Sequence, residues 1–535
     1  MRHKDPYLPG AGFIVFLAAS LLFLPWLGET LFYSKGEPRE ALVAVALLDS
    51  DNWILPLFYG SDIPYKPPFL AWLIAICAKV FNGGHVNEYI ARLPSALAVI
   101  SMTMAGYSWA RKLNGLRFAM IYAFVTMCSF EVCRAGMACR LDMVLTALMV
   151  IPLYVMYNLH ENGTRERFRP LKWLAVWLML SCATLTKGPV GALLPCFAFG
   201  IYCLLRRDNF WLSLVKMLGL AVSALILPGL WYCAALKQGG QPFADLMYEE
   251  VLGRLFGTMS YESHVQPFWY NFVTLISGLL PWTVMLLLGA ATYRRYRRAP
   301  LKTPGLYCAT IAATIVLFYC IPESKRSVYL LPAYPFITYG IACLFADENS
   351  KRISVVFSWI MAVIAVVAPV VFLVAYLSGD PRIPLGAMPW WGYITLTLCA
   401  LTGIAWMYNR HTPVGHTMVI VWMIWVAYAS AVMPAVLNPL SDKKLLPRLD
   451  QSPTETVYSY ANGDKFYRCY SLDFYLNDKM RHIDSSSRLT ALPEGTLVVL
   501  PADTDTTGLH TNFNFEPLTE RSADFRNRLM LAVRK

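Results

Sequence analysis

Long apolar runs separated by short polar loops fill the chain to about residue 437. A membrane crossing needs about 20 apolar residues. Runs of that order occur at 12–29, 90–108, 118–132, 142–158, 172–186, 188–205, 212–235, 268–290, 304–321, 328–346, 353–377, 389–408 and 416–436, and each predicts a crossing helix. A further run, 69–81, is short, and taken alone it reads either as a crossing or as a helix lying at the interface. The first run follows Arg2 and Lys4, with Gly28-Glu29-Thr30-Leu31 after it. No small-residue cleavage site is recognisable there, so it reads as a retained span rather than a signal peptide.

Charge settles the ambiguous run. If 69–81 does not cross, one side of the membrane receives loop after loop of Lys and Arg, from Arg2 and Lys4 through Arg294–Arg298 to Arg410. The other side then has about threefold fewer, a topology that obeys the positive-inside rule. The pattern therefore predicts an all-α polytopic membrane protein of about thirteen transmembrane helices, N-terminus cytoplasmic, with 1–437 as the membrane domain and 30–89 as its first outer loop. Beyond 437 the composition turns polar. Short apolar runs at 465–470, 496–500 and 529–533 predict strands, and 471–480 predicts a helix. Residues 438–535 are thus expected to form a small extracytoplasmic α/β domain.

The chain is 57% hydrophobic and 15% charged over 535 residues, with a net charge of +12. In a soluble protein that charge would point to nucleic acid. Here the cations sit in short loops and set topology, and no basic patch with interleaved aromatics stands outside them. The 13 cysteines form no CxxC pair and no ligand spacing with histidine, and most lie inside apolar runs as small hydrophobes. Composition and spacing indicate no cofactor and no metal, although a divalent ion is compatible with the carboxylates.

The polar interruption 34–68 concentrates charge that a span does not need. Pro38 suits the first turn of a helix continued by 41–48, and on that helix Glu37 and Glu40 share a face. Such a pair can deprotonate an acceptor, bind a cation, orient a sugar together with Arg39, or simply start an interfacial helix. Tyr65-Lys66-Pro67-Pro68 holds a lysine in extended backbone, as a phosphate ligand or a snorkelling side chain. Asp142 opens a span, as a cap or as an acceptor-orienting acid. Arg254 and His264 lie in the long outer loop 249–264, and Lys325 in Glu323-Ser324-Lys325-Arg326. Arg254 and Lys325 are candidate phosphate ligands. In the predicted topology all of these share the outer face, and charges beside a membrane are costly unless paired or functional. No Walker loop, GxGxxG, HExxH or GxSxG is present. An outer-face cationic site fits a lipid-linked phosphate donor better than a soluble nucleotide sugar.

GEPREALVAVALLDSDNWILPLFYGSDIPYKPP, Ala91-Arg92-Leu93-Pro94-Ser95, Arg140-Leu141-Asp142, Leu185-Thr186-Lys187-Gly188-Pro189, Gln266-Pro267-Phe268-Trp269-Tyr270 with Leu280-Pro281-Trp282, and Glu323-Ser324-Lys325 occur in that order over roughly 10–440. The ordered set resembles the bacterial aminoarabinose transferases of lipid A, which stand with the protein O-mannosyltransferases among GT-C membrane glycosyltransferases. The resemblance implies the GT-C fold and inverting transfer from a polyprenyl-phosphate sugar to lipid A or another envelope acceptor, on the periplasmic face of the bacterial inner membrane. It casts Lys66, Arg254 and Lys325 on the donor phosphate, Glu37, Asp142 and Glu40 on the acceptor, and Arg39, Tyr65 and His264 as substrate-orienting groups. Protein O-glycosylation is the neighbouring reading, and a transporter or flippase of lipid-linked sugar the reading from another class. The family's pattern usually has an acid where this chain has Gly36. A phosphate acceptor, already ionised, needs no base there; a hydroxyl acceptor does.

Overall fold

A computed structural model describes residues 10–163, 168–250, 265–292, 303–380, 383–409, 413–449, 456–461, 467–519, 522–523 and 528–535. The molecule is mainly helical, and the predicted apolar runs are found as helices. In chain order the first ten are α1 (Ala11–Phe23), α2 (Gly36–Ser50), α3 (Phe69–Phe81), α4 (Glu88–Met127), α5 (Phe130–Gly136), α6 (Leu141–Asn162), α7 (Arg169–Lys187), α8 (Val190–Leu205), α9 (Phe210–Ser223) and α10 (Ile226–Tyr248). Among the described residues seven helical stretches are long and apolar enough to cross a membrane. An eighth is added if Tyr270–Gly278 and Trp282–Ala290, bent by 110° at their break, make one span. The count of thirteen is therefore not reproduced by length and apolarity alone. Part of the difference is mechanical. At 1.5 Å per residue the 40 residues of α4 would reach about 60 Å, twice the hydrocarbon thickness. Gly115 breaks it with φ 83, ψ 179, a conformation in the left-handed half of φ that glycine tolerates. The 13 residues of α3 reach only about 20 Å, and so do those of α1, so helix length alone does not tell a crossing from an interfacial helix here.

Among the described residues the C-terminal region holds five strands: β1 (Val457–Tyr460), β2 (Met480–Ile483), β3 (Leu497–Pro501), β4 (Phe513–Thr519) and β5 (Leu529–Arg534). Their order is β2-β1-β3-β5-β4, with β1 parallel to β2 and β3, and β5 antiparallel to β3 and β4. The strands expected at 496–500 and 529–533 are present. The strand expected at 465–470 is not: residues 467–469 are loop, Tyr470 starts a helix, and 465–466 lie outside the described residues. The helix expected at 471–480 runs only over Tyr470–Tyr475, because Asn477 and Asp478 take positive φ (57° and 55°) and turn the chain into β2.

This sheet is seated on the loop between α2 and α3. The Tyr59 amide donates to Asp478 Oδ1 at 2.7 Å, the Tyr59 hydroxyl to Ser459 Oγ at 2.9 Å, and Arg468 forms two hydrogen bonds to Asp62, at 2.7 and 2.9 Å. The Phe32 amide donates to the Tyr475 hydroxyl, which in turn donates to Glu88. Apolar packing follows the same path: one core cluster runs from α1 through the helices to Leu472 and Phe474.

Candidate active site

The first outer loop, the start of α6, the end of α7 and the segment before Ser327 converge on one cleft. Two adjoining hollows share Arg39, Glu40, Tyr65, Lys66 and Leu141. The polar one encloses about 460 Å³ of free space and is completed by Gly36, Arg140, Asp142, Lys187, Arg326 and Tyr329. The other, about 380 Å³, adds Val43, Phe58, Pro64, Pro67, Leu70 and Ala71, an apolar wall beside the lysine.

Each side chain is placed by its local sequence. Two prolines after Lys66 keep its backbone extended and aim it across the entrance of α3. There its Nζ lies 3.3 Å from Glu250 Oε2 and 4.8 Å from the Tyr65 ring centre. The other side of Tyr65 carries the Arg39 guanidinium at 4.5 Å. Arg39 also meets Glu40 at 3.0 Å, while its Nε is buried without a hydrogen-bond partner. Burial works against the charge on Arg39, but Tyr65 and Glu40 outweigh it and the pKa is raised. Lys187 ends α7 and donates to Asp142 Oδ1 at 2.7 Å, with its Nζ 4.0 Å from the Tyr329 ring centre. Burial, with Arg140 adding repulsion, holds the Arg326 pKa below its ordinary value despite Tyr329.

Of the residues expected from sequence, Arg39, Glu40, Tyr65, Lys66 and Asp142 come together here. Glu37 does not. It is 4% exposed, with Oε2 accepting from Arg92 Nε and from the Cys139 amide, both at 2.8 Å, and Oε1 accepting from Arg92 at 3.3 Å. Arg92 further donates to the carbonyls of Leu27 and Thr30. Burial alone would raise the Glu37 pKa; the Arg92 charge and hydrogen bonds, with the Cys139 amide, overcome this and leave it lowered. Glu37 is thus buried, accepts three hydrogen bonds and lines neither hollow, so in this structure it anchors α2 to α4. Lys325 is likewise displaced: it is 5% exposed and donates to the Gln266 carbonyl at 3.1 Å, while its neighbour Arg326 lines the cleft. Arg254 and His264 lie outside the described residues. Sequence reasoning placed Arg140, Lys187 and Arg326 on the outer face without selecting them. Their signal was adjacency to the chosen motifs, next to Asp142, before Gly188-Pro189 and beside Lys325.

The fold and this cationic cleft define a membrane protein of GT-C glycosyltransferase architecture. Residues 65–232 match the family model described as dolichyl-phosphate-mannose-protein mannosyltransferase. The chain superposes on ArnT from Cupriavidus metallidurans, solved bound to undecaprenyl phosphate, with a TM-score of 0.76 at 21% identity, covering 98% of each chain. It also shares the fold of the Archaeoglobus fulgidus oligosaccharyltransferase, with a TM-score of 0.51 at 12% identity over 93% of this chain and 70% of that one. Within that class the chain is aminoarabinose transferase-like. It is 26% identical over 421 residues (75% of this chain, 73% of the relative) to the undecaprenyl phosphate-alpha-4-amino-4-deoxy-L-arabinose arabinosyl transferase 2 of Proteus mirabilis.

Proposed function

We propose that this chain is an integral-membrane glycosyltransferase that moves a sugar from a polyprenyl-phosphate donor to an envelope acceptor, lipid A phosphate or a similar glycolipid. The observation that carries the reading is Lys66 at the seam between a cationic hollow and an apolar one. A lipid phosphate needs that pairing: the Lys66 charge for its head and the apolar wall beside it for its first isoprene. In the reaction an acceptor oxygen attacks the anomeric carbon from the side opposite the donor oxygen. The carbon–oxygen bond to the donor phosphate breaks, polyprenyl phosphate leaves with the electron pair, and configuration inverts. Lys66, with Arg254 from the outer loop, neutralises the charge that grows on the leaving phosphate. Asp142 or Glu40 takes the proton of a hydroxyl acceptor; a phosphate acceptor has none to lose and needs only positioning.

The membrane domain is read as about thirteen crossings over 1–437 in the bacterial inner membrane, N-terminus cytoplasmic, with the cleft and the domain 438–535 periplasmic. The loop charges support this orientation. Transfer to a protein hydroxyl is the second reading, favoured by the mannosyltransferase family match over 65–232. Reconstituted full-length chain supplied with labelled undecaprenyl-phosphate sugar is expected to label lipid A and lose that activity in Lys66→Ala. Label appearing on protein instead selects the second reading. Unchanged transfer by Lys66→Ala would sink the donor assignment.

A further inference from the structure

The charges of the cleft do not balance. Glu40 is matched by Arg39 at 3.0 Å, Asp142 by Lys187 at 2.7 Å, and Lys66 by Glu250 at 3.3 Å. Arg140 is different. Its side chain has no hydrogen bond or ion pair among the described residues, yet it lines the polar hollow beside Arg326. What lets it stand there is Gly36. A Cβ built at Gly36 would lie 2.8 Å from Arg140 Cζ and closer still to Nη2, so any side chain at 36 evicts the guanidinium. Asp142 is nearby, but Lys187 already holds one of its oxygens. The hollow therefore presents a spare guanidinium fork and no carboxylate that lacks a cation.

A guanidinium in a half-enclosed cationic wall is the geometry that binds a carboxylate or phosphate through two parallel hydrogen bonds. It is also a barrier to an ammonium group, which would enter beside a like charge with no unmatched carboxylate to meet it. Resting on the glycosyltransferase reading above, we propose that Gly36 and Arg140 form an oxyanion subsite separate from the donor-phosphate position. This subsite selects against a cationic amino sugar. The oxyanion is supplied either by the acceptor, as a phosphate monoester, or by the transferred sugar, as a carboxylate.

The test is binding to full-length chain in nanodiscs. The probes are undecaprenyl phosphate itself, undecaprenyl-phosphate donors carrying a hexuronic acid, a neutral hexose or an amino pentose, and lipid A with and without its phosphates. The wild type is expected to favour at least one oxyanion-bearing probe over its uncharged counterpart by about tenfold or more, the scale of a charged hydrogen bond. It is expected to bind the amino-pentose donor worst. Arg140→Gln and Gly36→Ala should both flatten that preference, the first by removing the fork and the second by displacing it. Binding of undecaprenyl phosphate should stay unchanged in both, which reports the folded state as well. Gly36→Asp should pair Arg140 and improve amino-pentose binding. Loss of the preference for phosphorylated lipid A names the acceptor as the source; loss of the preference for the hexuronic donor names the sugar. The proposal is overturned if Arg140→Gln retains the preference, if the wild type prefers the amino-pentose donor, or if undecaprenyl phosphate binding falls with Arg140. Undecaprenyl phosphate binding that ignores Lys66→Ala defeats the donor-site reading instead, and leaves the lipid A comparison to judge Arg140.

Discussion

Glu37 and Glu40 stand one helical turn apart on α2, yet they belong to two different regions of the molecule. Glu37 points into the protein and is locked to Arg92, with side chains 5% and 3% exposed. Glu40 faces the cleft, pairs with Arg39, and is 13% exposed. Sequence makes them equivalent, two carboxylates in a charged stretch. Packing separates them: the buried one holds the loop in place so that the open one can meet a substrate. Dense charge next to a membrane thus marks a site and also its scaffold, and only the partners tell which is which.

The sharpest way to break this contrast is to open the buried pair. Arg92→Ala or Glu37→Ala leaves an uncompensated buried charge and is expected to cost roughly 3–5 kcal/mol, read as loss of monodisperse folded protein in detergent. Folded but inactive Glu37→Ala would return it to the candidate bases. On the cleft side, Lys66→Ala is expected to lower transfer by about 10²–10³-fold with folding intact, the scale of removing one preorganised charge-stabilising group. Asp142→Asn and Glu40→Gln, compared in the same assay, sort the proton acceptor. With a hydroxyl acceptor one of them should fall by about 10²-fold or more, whereas a phosphate acceptor leaves both closer to the wild type.

A smaller effect concerns Asp442, buried where the last membrane helix meets the C-terminal region. Burial lifts its pKa to about 6, against the Ala523 amide and Ser522 hydroxyl that hydrogen-bond to it. Its folded pKa lies above the unfolded value, so the folded state holds the proton more tightly. This contribution is fully present below about pH 4 and is lost as pH rises through about 6, with an upper bound of ~3 kcal/mol. Asp442→Asn should remove that slope in thermal unfolding between pH 4 and 8; an unaltered slope would assign it elsewhere. Smallest of all, Lys325→Ala should change transfer by no more than about threefold, since among the described residues its one hydrogen bond is to a backbone carbonyl.

The helices were legible because apolar length is a strong signal, and Lys66, Arg39, Tyr65, Glu40 and Asp142 because they concentrate polar and charged groups between apolar runs. What stayed hidden depended on direction. Nothing in the sequence says that Arg92, near the start of a predicted span, reaches back to Glu37, or that Lys325 turns inward while Arg326 turns out. The C-terminal strands β1 and β2 were missed because each is four residues long and takes its register from a parallel neighbour rather than from a hairpin turn, and β4 because Asn514, Glu516 and Pro517 interrupt its apolar residues. Gly36 was noticed as an oddity of pattern; only the position of Arg140 gives it a physical consequence.

The grip of the sheet on the first loop also sets a timetable. Tyr59 leaves the ribosome early, but its partner Asp478 lies 419 residues later. At about 5–20 residues per second, roughly 20–80 s separate them. During that interval the polar loop is already at the membrane without the contacts that seat it. Synthesis therefore seats the loop from the tail, and a chain interrupted before Ser459 would lack every one of the Tyr59 and Asp62 contacts that clasp it.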